Sequence, residues 1–139
     1  MIKIIPYLMF GGNCEEALHF YQSIMGGEAV VQSRYDNPHM NVPDDWRSKV
    51  LHARLLLDGV IVLYASDTFS GHPVKQSSGD VSISIVLDDD LERTRRIYEG
   101  LAEGGKVGVP FAKQFWGDWH GNLTDRYGMR WNINFEEKR

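Results

Sequence analysis

The chain has 139 residues, of which 42% are hydrophobic and 24% are charged, and its formal net charge is −4. This size suits one domain with a real core, or two small modules that share one. Acidic and basic residues are interspersed, so the sequence has neither a basic stripe for nucleic acid nor a cationic helix for a membrane surface. We therefore expect no nucleic acid and no membrane as a partner.

The single cysteine, Cys14, excludes an internal disulfide and a cysteine-cluster metal site. No segment has the apolar h-region of a signal peptide or the roughly 20 apolar residues of a spanning helix. We expect a cytoplasmic protein. Cys14 directly follows a predicted helix cap, a position where a thiol can become reactive, although a small buried residue is the commoner role.

The first part of the chain predicts a strand followed by a helix. Residues 2 to 10 form an apolar run, and Gly11-Gly12 ends it. Asn13 and Glu16 have the spacing of a capping box, and Gly26-Gly27 stops the helix that it begins. The apolar positions at helical spacing are Ala17, Phe20, Tyr21 and Ile24.

Three further strands are predicted in this half. They cover Ala29 to Tyr35, residues 50 to 57, and Val60 to Ala65, with a hairpin turn at Asp58-Gly59 and a loop over residues 36 to 49. Residues 50 to 57 alternate, so that one face carries Val50, His52, Arg54 and Leu56, and the other carries Leu51, Ala53, Leu55 and Leu57.

The second half repeats this order after a connection over residues 66 to 80 that is rich in Ser, Gly and Asp. Residues 81 to 87 alternate as a strand, the run Asp88 to Asp90 caps a helix, and Gly104-Gly105 stops it. The apolar positions of this helix are Leu91, Ile97, Tyr98 and Leu101. The three strands that follow are predicted at roughly 106 to 115, 118 to 124 and 129 to 135.

The stretch from Phe115 to Asn134 holds three of the four tryptophans. The sequence from Asp125 to Gly128 is a turn signal, and the run after it alternates. One face of that run is apolar, with Met129, Trp131, Ile133 and Phe135, and the other is polar, with Arg130, Asn132 and Asn134. Either solvent or a ligand can meet the polar face.

Each half thus reads as strand, helix, double glycine and three strands, and Gly26 and Gly104 lie 78 residues apart. This spacing is too long for a solenoid and indicates an internal duplication of a βαβββ unit. The predicted fold class is α+β.

Two βαβββ modules with Phe20-Tyr21 in the first helix resemble the glyoxalase and bleomycin-resistance group, the vicinal oxygen chelate superfamily. A narrower resemblance, to the PhnB-like subgroup, rests on motifs spread over the chain. These motifs are Pro6-Tyr7-Leu8, Phe10-x-Gly12-Asn13-Cys14-x-Glu16-Ala17-x-x-Phe20-Tyr21, Leu51-His52-Ala53, Ser66-Asp67, Phe115-Trp116-Gly117, Leu123-Thr124-Asp125 and Tyr127-Gly128-x-x-Trp131-x-x-Asn134.

The resemblance implies a single glyoxalase-like domain over residues 1–139, made of a module 1–68 and a module 79–139. In the superfamily such modules curl into a cup that a second copy of the chain usually completes, so a homodimer is expected. The subgroup is often labelled as related to a demethylubiquinone methyltransferase. The sequence does not support that label, because it has no glycine-rich strand-to-helix turn with a following acidic residue to hold a nucleotide-like cofactor.

The metal enzymes of the superfamily take four ligands, commonly His and Glu, from the first and last strands of the modules. The resemblance places the corresponding positions at Pro6, at Ser82 or Ser84, at Val62 or Tyr64, and at Asn132. These side chains bind divalent transition metals poorly, and no shift of register within two residues gives a pair of imidazoles or carboxylates. We expect no metal and no cofactor, and hence no metal-assisted isomerase or dioxygenase chemistry.

Polar side chains nevertheless share a face on three predicted strands, as the pairs His52 and Arg54, Ser82 and Ser84, and Asn132 and Asn134. An ordinary antiparallel sheet with one face in water gives the same pattern. With the resemblance, a small-molecule pocket lined also by Tyr64 becomes the favoured interpretation, because the same faces carry the apolar residues Leu56, Val62 and Val86.

His52 is the candidate catalytic residue, as a general acid or base, and its alternative role is a strand histidine bonded to a neighbour. Arg54 can bind a carboxylate or phosphonate, or form a surface ion pair. Trp116 and Asp118, at the mouth of a strand, are further ligand-binding candidates.

Trp116 and Trp119 can stack on an aromatic ligand, or lie in the core or a dimer interface, whereas the apolar face of Trp131 favours the core. His19 is predicted to be exposed on the first helix. The remaining histidines, His39, His72 and His120, are assigned to loops without ligand-like spacing.

The sequence therefore predicts a homodimeric cup that binds a small polar or aromatic organic molecule without a metal. The alternative is a lyase or isomerase, metal-independent or unconventionally metallated, in which His52 moves a proton. A third possibility is a structural dimer without a ligand, whose polar faces are flat and wet.

Overall fold

The computed structural model describes residues 1–68 and 81–137. The chain divides into two compact units, Met1–Val74 and Lys75–Arg139, and the described residues of each unit form one α-helix and one mixed sheet. The α+β class and the two βαβββ modules predicted from the sequence are confirmed. Most of the predicted connection, residues 69–80, lies outside the described residues, whereas Ser66 and Asp67 belong to a strand.

The first unit has the strand order β1-β4-β3-β2, with β1 parallel to β4 and the other neighbours antiparallel. Its elements are β1 (Tyr7–Phe10), α1 (Cys14–Met25), β2 (Glu28–Arg34), a 3-10 helix (Asp44–Trp46), β3 (Val50–Leu57) and β4 (Val60–Asp67). The predicted strand over residues 2 to 10 is therefore shorter than expected. The predicted loop over residues 36 to 49 contains the 3-10 helix.

Helix α1 packs on the sheet with a different stripe from the predicted one. Phe20 and Ile24 were expected in the core, but both are only half-buried. The buried residues of the helix are Cys14, Ala17, Leu18, Tyr21 and Met25. The helix carries two overlapping apolar stripes at three- and four-residue spacing, and packing on the sheet selects the one that contains Leu18.

A buried carboxylate, that of Asp67, holds the first unit together at the start of α1. Its Oδ1 accepts hydrogen bonds from the backbone N–H groups of Gly12 and Cys14, both at 2.9 Å, and its Oδ2 accepts one from Val50 N–H at 2.9 Å. The predicted capping box is wrong, because Asn13 makes no side-chain cap hydrogen bond. Asp67 supplies the negative charge that the helix N-terminus favours.

The second unit has the strand order β5-β9-β8-β6, and β7 also pairs with β8. Its elements are β5 (Ile83–Leu87), α2 (Leu91–Ala102), β6 (Lys106–Val107), β7 (Ala112–Lys113), β8 (Trp119–Thr124) and β9 (Arg130–Phe135). The strand predicted over residues 106 to 115 is split into β6 and β7. Between them the Asn122 side chain accepts a hydrogen bond from Val109 N–H at 2.7 Å, and Pro110 has no N–H to continue the ladder.

The predicted apolar face of β9 is confirmed in the core of this unit, where Trp131 is 1% exposed and Ile133 is fully buried. The predicted cap of α2 is also confirmed, because the Asp90 side chain accepts a hydrogen bond from Arg93 N–H at 2.9 Å. None of the helices described is long and apolar enough to cross a membrane.

A second buried carboxylate, that of Asp125, organises the predicted turn before β9. Its Oδ1 accepts hydrogen bonds from the N–H groups of Tyr127 at 2.8 Å and Met129 at 3.0 Å. Its Oδ2 accepts one from Trp131 Nε1 at 2.9 Å. The turn and the largest core side chain of the unit are therefore tied to one residue.

We expect Asp67→Asn to lower the free energy of unfolding by about 3 kcal/mol, because the amide presents a donor to N–H groups that need an acceptor. Urea unfolding followed by circular dichroism measures this change. Asp45→Asn, at an exposed position of the 3-10 helix, is the control and should stay within about 0.5 kcal/mol of the wild type. A loss below about 1 kcal/mol for Asp67→Asn would contradict the role given to the carboxylate.

The two neighbouring glycines after α1 provide a second test, of how closely the chain packs against β3. Gly26 and Gly27 have φ angles of +79° and +81°, but a Cβ on Gly27 would clash with the Leu56 carbonyl oxygen, whereas a Cβ on Gly26 meets nothing within 4 Å. Gly26→Ala should cost about 1–3 kcal/mol of stability from backbone strain alone. Gly27→Ala should lose more stability than Gly26→Ala in the same urea titration. Equal losses of stability would contradict the close approach of Gly27 to the Leu56 carbonyl.

Candidate functional site

The helix-free side of the first sheet carries a group of aromatic and basic side chains, which we call the aromatic face. Its members are Tyr7, Met9, His52, Arg54 and Tyr64. Residues that alternate with them, such as Leu8, Ala53 and Leu63, are buried. The pleat of the strands, which sends successive side chains to opposite sides, therefore separates this face from the core under α1.

Three rings of the aromatic face form a cluster. The Tyr7 hydroxyl lies 3.4 Å from His52 Nδ1, and the ring centroids are 5.9 Å apart for Tyr7 and His52. The centroid of Tyr64 is 5.0 Å from that of His52 and 6.1 Å from that of Tyr7. These separations are typical of interacting aromatic pairs.

Strand register produces this cluster. Tyr7 is the partner of Tyr64 across the parallel pair of β1 and β4, and Arg54 is the partner of Tyr64 across β3 and β4. The first-strand position facing the site had been placed at Pro6 from the superfamily resemblance. In the structure Tyr7, within the two-residue margin of that placement, shares the face with His52 and Tyr64, and its contacts were not predicted from the sequence.

Arg54 is half-buried beside these rings. No ion pair joins it to another residue within 1–68 or 81–137. The guanidinium is always charged and presents a planar fork of donors, so it suits a ligand carboxylate better than a neutral group.

The corresponding side of the second sheet carries mostly neutral polar side chains, with Arg130 beside them at one end of β9, and we call it the amide face. Its members are Ser84, His120, Asn122, Asn132 and Asn134. Three of the predicted site residues meet at its edge. Asn132 Nδ2 donates a hydrogen bond to Ser82 Oγ at 2.5 Å, and Ser84 is the partner of Asn132 across β5 and β9.

His120 had been assigned to a loop, and that assignment is wrong. It lies in β8 as the partner of Asn134 in β9, and its Nδ1 is 2.8 Å from Asn134 Oδ1. The signal was present in the sequence, since His120, Asn122 and Thr124 alternate with the buried Gly121 and Leu123. Sequence reasoning had placed a strand there without carrying the histidine onto its polar face.

Trp116 and Asp118 lie in the turn between β7 and β8 rather than on the amide face. The turn is closed by hydrogen bonds from Gly117 N–H to the Gln114 carbonyl at 3.0 Å and from Gln114 N–H to the Asp118 carbonyl at 2.8 Å. The Trp116 side chain is 49% exposed and contacts the Phe115 ring edge-on at 5.0 Å. The structure does not bring these two candidates together with Asn132.

The other tryptophans of the stretch pack on the helix side of the sheet. The Trp119 ring lies 5.6 Å from that of Phe111 and has the Arg95 guanidinium 5.2 Å from its centroid. Trp131 is in the core, as predicted. Neither tryptophan belongs to the amide face.

The donor set does not fit the divalent metal of the superfamily enzymes. The strand positions that correspond to its ligands offer the phenols of Tyr7 and Tyr64 on one face, and the hydroxyl of Ser84 and amide of Asn132 on the other. Within the described ranges there is no group of three or more His, Cys, Asp or Glu placed to hold a metal ion. His19 and His39 are exposed, and His72 lies outside the described residues.

A polar depression lies at the start of α1, and its charged side chains Glu15, Arg34 and Lys49 are engaged in the fold. Arg34 donates two hydrogen bonds to the Glu15 carboxylate, at 3.0 and 2.9 Å, and this contact lowers the pKa of Glu15. Lys49 Nζ donates to the Gly12 carbonyl at 2.9 Å. These bonds fasten α1 to the rest of its unit.

Cys14 has the environment of a structural residue. It is fully buried, and burial, followed by the nearby carboxylates of Asp67 and Glu15, raises the pKa of its thiol to about 12. The structure therefore favours the small buried role over the reactive one, because the thiolate is the nucleophile.

The fold is that of the glyoxalase and bleomycin-resistance proteins. A member of the glyoxalase/bleomycin resistance protein/dioxygenase superfamily from Sphaerobacter thermophilus DSM 20745 matches with a TM-score of 0.58 at 19% identity, over 98% of this chain and 99% of that one. The family model for 3-demethylubiquinone-9 3-methyltransferase matches residues 2–134, so the chain belongs to that family, the PhnB-like one.

Individual relatives are similar over nearly their whole length. Protein PA1353 from Pseudomonas aeruginosa is 36% identical with a TM-score of 0.83, over 99% of this chain and 100% of that one. A PhnB protein from Bacillus cereus is 27% identical with a TM-score of 0.80, over 97% and 100%. Protein YjdN of Escherichia coli K12 is 28% identical over 96% of this chain and 95% of its own.

We expect Cys14 to resist a thiol reagent in the folded protein, because both its burial and its raised pKa suppress the thiolate. Modification with DTNB at pH 8 should be at least about 100-fold slower than in 6 M guanidinium chloride, where the one cysteine should react completely. Comparable rates in the two conditions would contradict the buried role.

Proposed function

We propose that the protein binds a small aromatic or partly polar organic acid on the aromatic face. The observation that carries this proposal is the cluster of Tyr7, His52 and Tyr64 with Arg54 in register beside it. The rings offer surface for a planar group, and the guanidinium offers a bidentate partner for a carboxylate or phosphonate.

The methyl transfer in the family name is not part of this proposal. The sequence has no glycine-rich strand-to-helix turn with a following acidic residue to hold a nucleotide-like cofactor. In the turn between β1 and α1, the N–H groups of Gly12 and Cys14 donate to Asp67 instead. These two N–H groups are therefore already hydrogen-bonded within the protein.

Benzoylformate, which combines an aromatic ring, a ketone and a carboxylate, is a suitable first probe. At millimolar concentration it should raise the Tm of the wild type, because a ligand that binds only the folded state stabilises it. Arg54→Gln should abolish the increase, and Arg96→Gln, an exposed arginine on α2, should keep it.

The same titration is repeated with EDTA. An unchanged shift supports metal-free binding, and a shift that needs added Zn²⁺ or Ni²⁺ contradicts it. Absence of any shift in the wild type, or an equal shift in Arg54→Gln, would overturn the assignment of the aromatic face.

A homodimer in the cytoplasm is proposed from the superfamily resemblance and the single, unpaired cysteine. One chain has a mass of 15.9 kDa, so light scattering at micromolar concentration should give twice that value. A monomer mass would overturn the dimer and leave the aromatic face untouched, since all of its members come from one chain.

A second candidate function is a lyase or isomerase in which His52 moves a proton. The contact of the Tyr7 hydroxyl with His52 Nδ1 favours it, because a ring held at one nitrogen can present the other to a substrate.

Phenylpyruvate tests this second function, since its enolisation moves a proton from the carbon next to the ketone to the ketone oxygen and changes the ultraviolet spectrum. The wild type should accelerate the reaction and His52→Gln should reduce the acceleration by about 10²-fold or more, the usual contribution of a general base. A wild-type rate equal to that of buffer would exclude this candidate, and the benzoylformate titration decides the binding function separately.

A further inference from the structure

The strand registers match the two sheets position by position. Each sheet has a row of three residues: Arg54, Tyr64 and Tyr7 on β3, β4 and β1 of the first sheet, and Asn122, Asn132 and Ser84 on β8, β9 and β5 of the second. His52 lies two residues before Arg54, and His120 lies two residues before Asn122, on strands that run in corresponding directions. The internal repeat therefore places a histidine twice at the same sheet position.

The surroundings of His120 determine which nitrogen carries its proton when the ring is neutral. Its Nδ1 is 2.8 Å from Asn134 Oδ1, and an amide oxygen can only accept a hydrogen bond. The proton therefore lies on Nδ1, and Nε2 presents a lone pair. A half-buried ring held in this way is a directed hydrogen-bond acceptor.

The neighbours of His120 differ from those of His52 in charge. His120 and Asn134 form one row with Val86, and the next row is Asn122, Asn132 and Ser84. Neither of these two rows contains an acid, a lysine or an arginine, but the row beyond Asn122 and Asn132 pairs Thr124 with Arg130. The aromatic face holds its cation, Arg54, in the same row as the two phenols. On the amide face the rows of His120 and of Asn122 offer neutral donors and acceptors, and Arg130 lies two rows away from His120, so the two faces suit different ligands.

We propose that the amide face is a second binding site, which takes a neutral cyclic amide or imide, with His120 accepting the ligand N–H. Asn134 is the positioning residue that fixes the imidazole. Side chains on neighbouring strands lie about 5 Å apart, and those two residues apart along a strand about 7 Å, so one small ring spans His120 and Asn122. The Oδ1 of Asn122 accepts from Val109 N–H and the Nδ2 of Asn132 donates to Ser82 Oγ, so the Nδ2 of Asn122 and the second N–H of Asn132 are the donors for the ligand carbonyls.

The first experiment determines which nitrogen of the His120 imidazole carries the proton. In ¹⁵N-labelled protein near pH 8, long-range ¹H–¹⁵N spectra should show His120 with the proton on Nδ1. Asn134→Leu should lose that preference while the signals of His52 stay in place. A proton on Nε2 of His120 in the wild type would overturn the proposal.

The second experiment uses succinimide as the probe and N-methylsuccinimide as its matched control, which lacks only the N–H. Succinimide at millimolar concentration should shift the resonances of His120, Asn122 and Asn132. The methylated compound should bind about tenfold more weakly, the effect of one hydrogen bond. Equal binding of the two compounds, or no shift with succinimide, would refute the site.

Two variants complete the test. His120→Phe should abolish the succinimide shifts, and His39→Phe, at an exposed histidine of the first unit, should preserve them. The proposal does not depend on the aromatic face, so Arg54→Gln should bind succinimide as the wild type does. Persistence of the shifts in His120→Phe would show that the imidazole does not contact the ligand.

Discussion

The carboxylate of Asp67 is the constraint on which the first unit depends. It is 1% exposed and holds three backbone N–H groups, from the turn before α1, from the first residue of α1 and from the first residue of β3. A buried charge is tolerated only when it is fully hydrogen-bonded, and this one is bonded on both oxygens. By fixing β3 against the end of β4, it also fixes the register that brings His52 towards Tyr64.

Asp125 has the same role in the second unit through different partners, two N–H groups of a turn and the indole of Trp131. Both aspartates belong to the short motifs on which the family resemblance rests. Their contacts are internal, so these parts of the motifs describe how the fold is built. The side chains available to a ligand are their neighbours on the helix-free sides of the sheets, which differ between the two units in charge and aromatic content.

The fold class and the order of elements could be predicted because each depends on local patterns, namely alternation, helical spacing and turn residues. The details that failed depend on partners distant in sequence. Asn13 has the right spacing for a cap, but Asp67, more than fifty residues away, takes that place. In the same way, strand pairing decides that Leu18 rather than Phe20 is in the core of α1.

The same distinction between local sequence patterns and partners distant in sequence applies to the candidate site. Alternation within each strand was enough to place His52 and Arg54 on one face of β3, Ser84 on the polar face of β5 and Asn132 on the polar face of β9. The contacts of Tyr7 and the pairing of His120 with Asn134 needed the register between strands, which one sequence does not provide.

The position of Asp67 in the chain also affects how the first unit folds during synthesis on the ribosome. Because Asp67 ends β4, the first turn of α1 lacks its acceptor until the last residue of that strand has left the exit tunnel, so the nascent first unit closes only when it is complete.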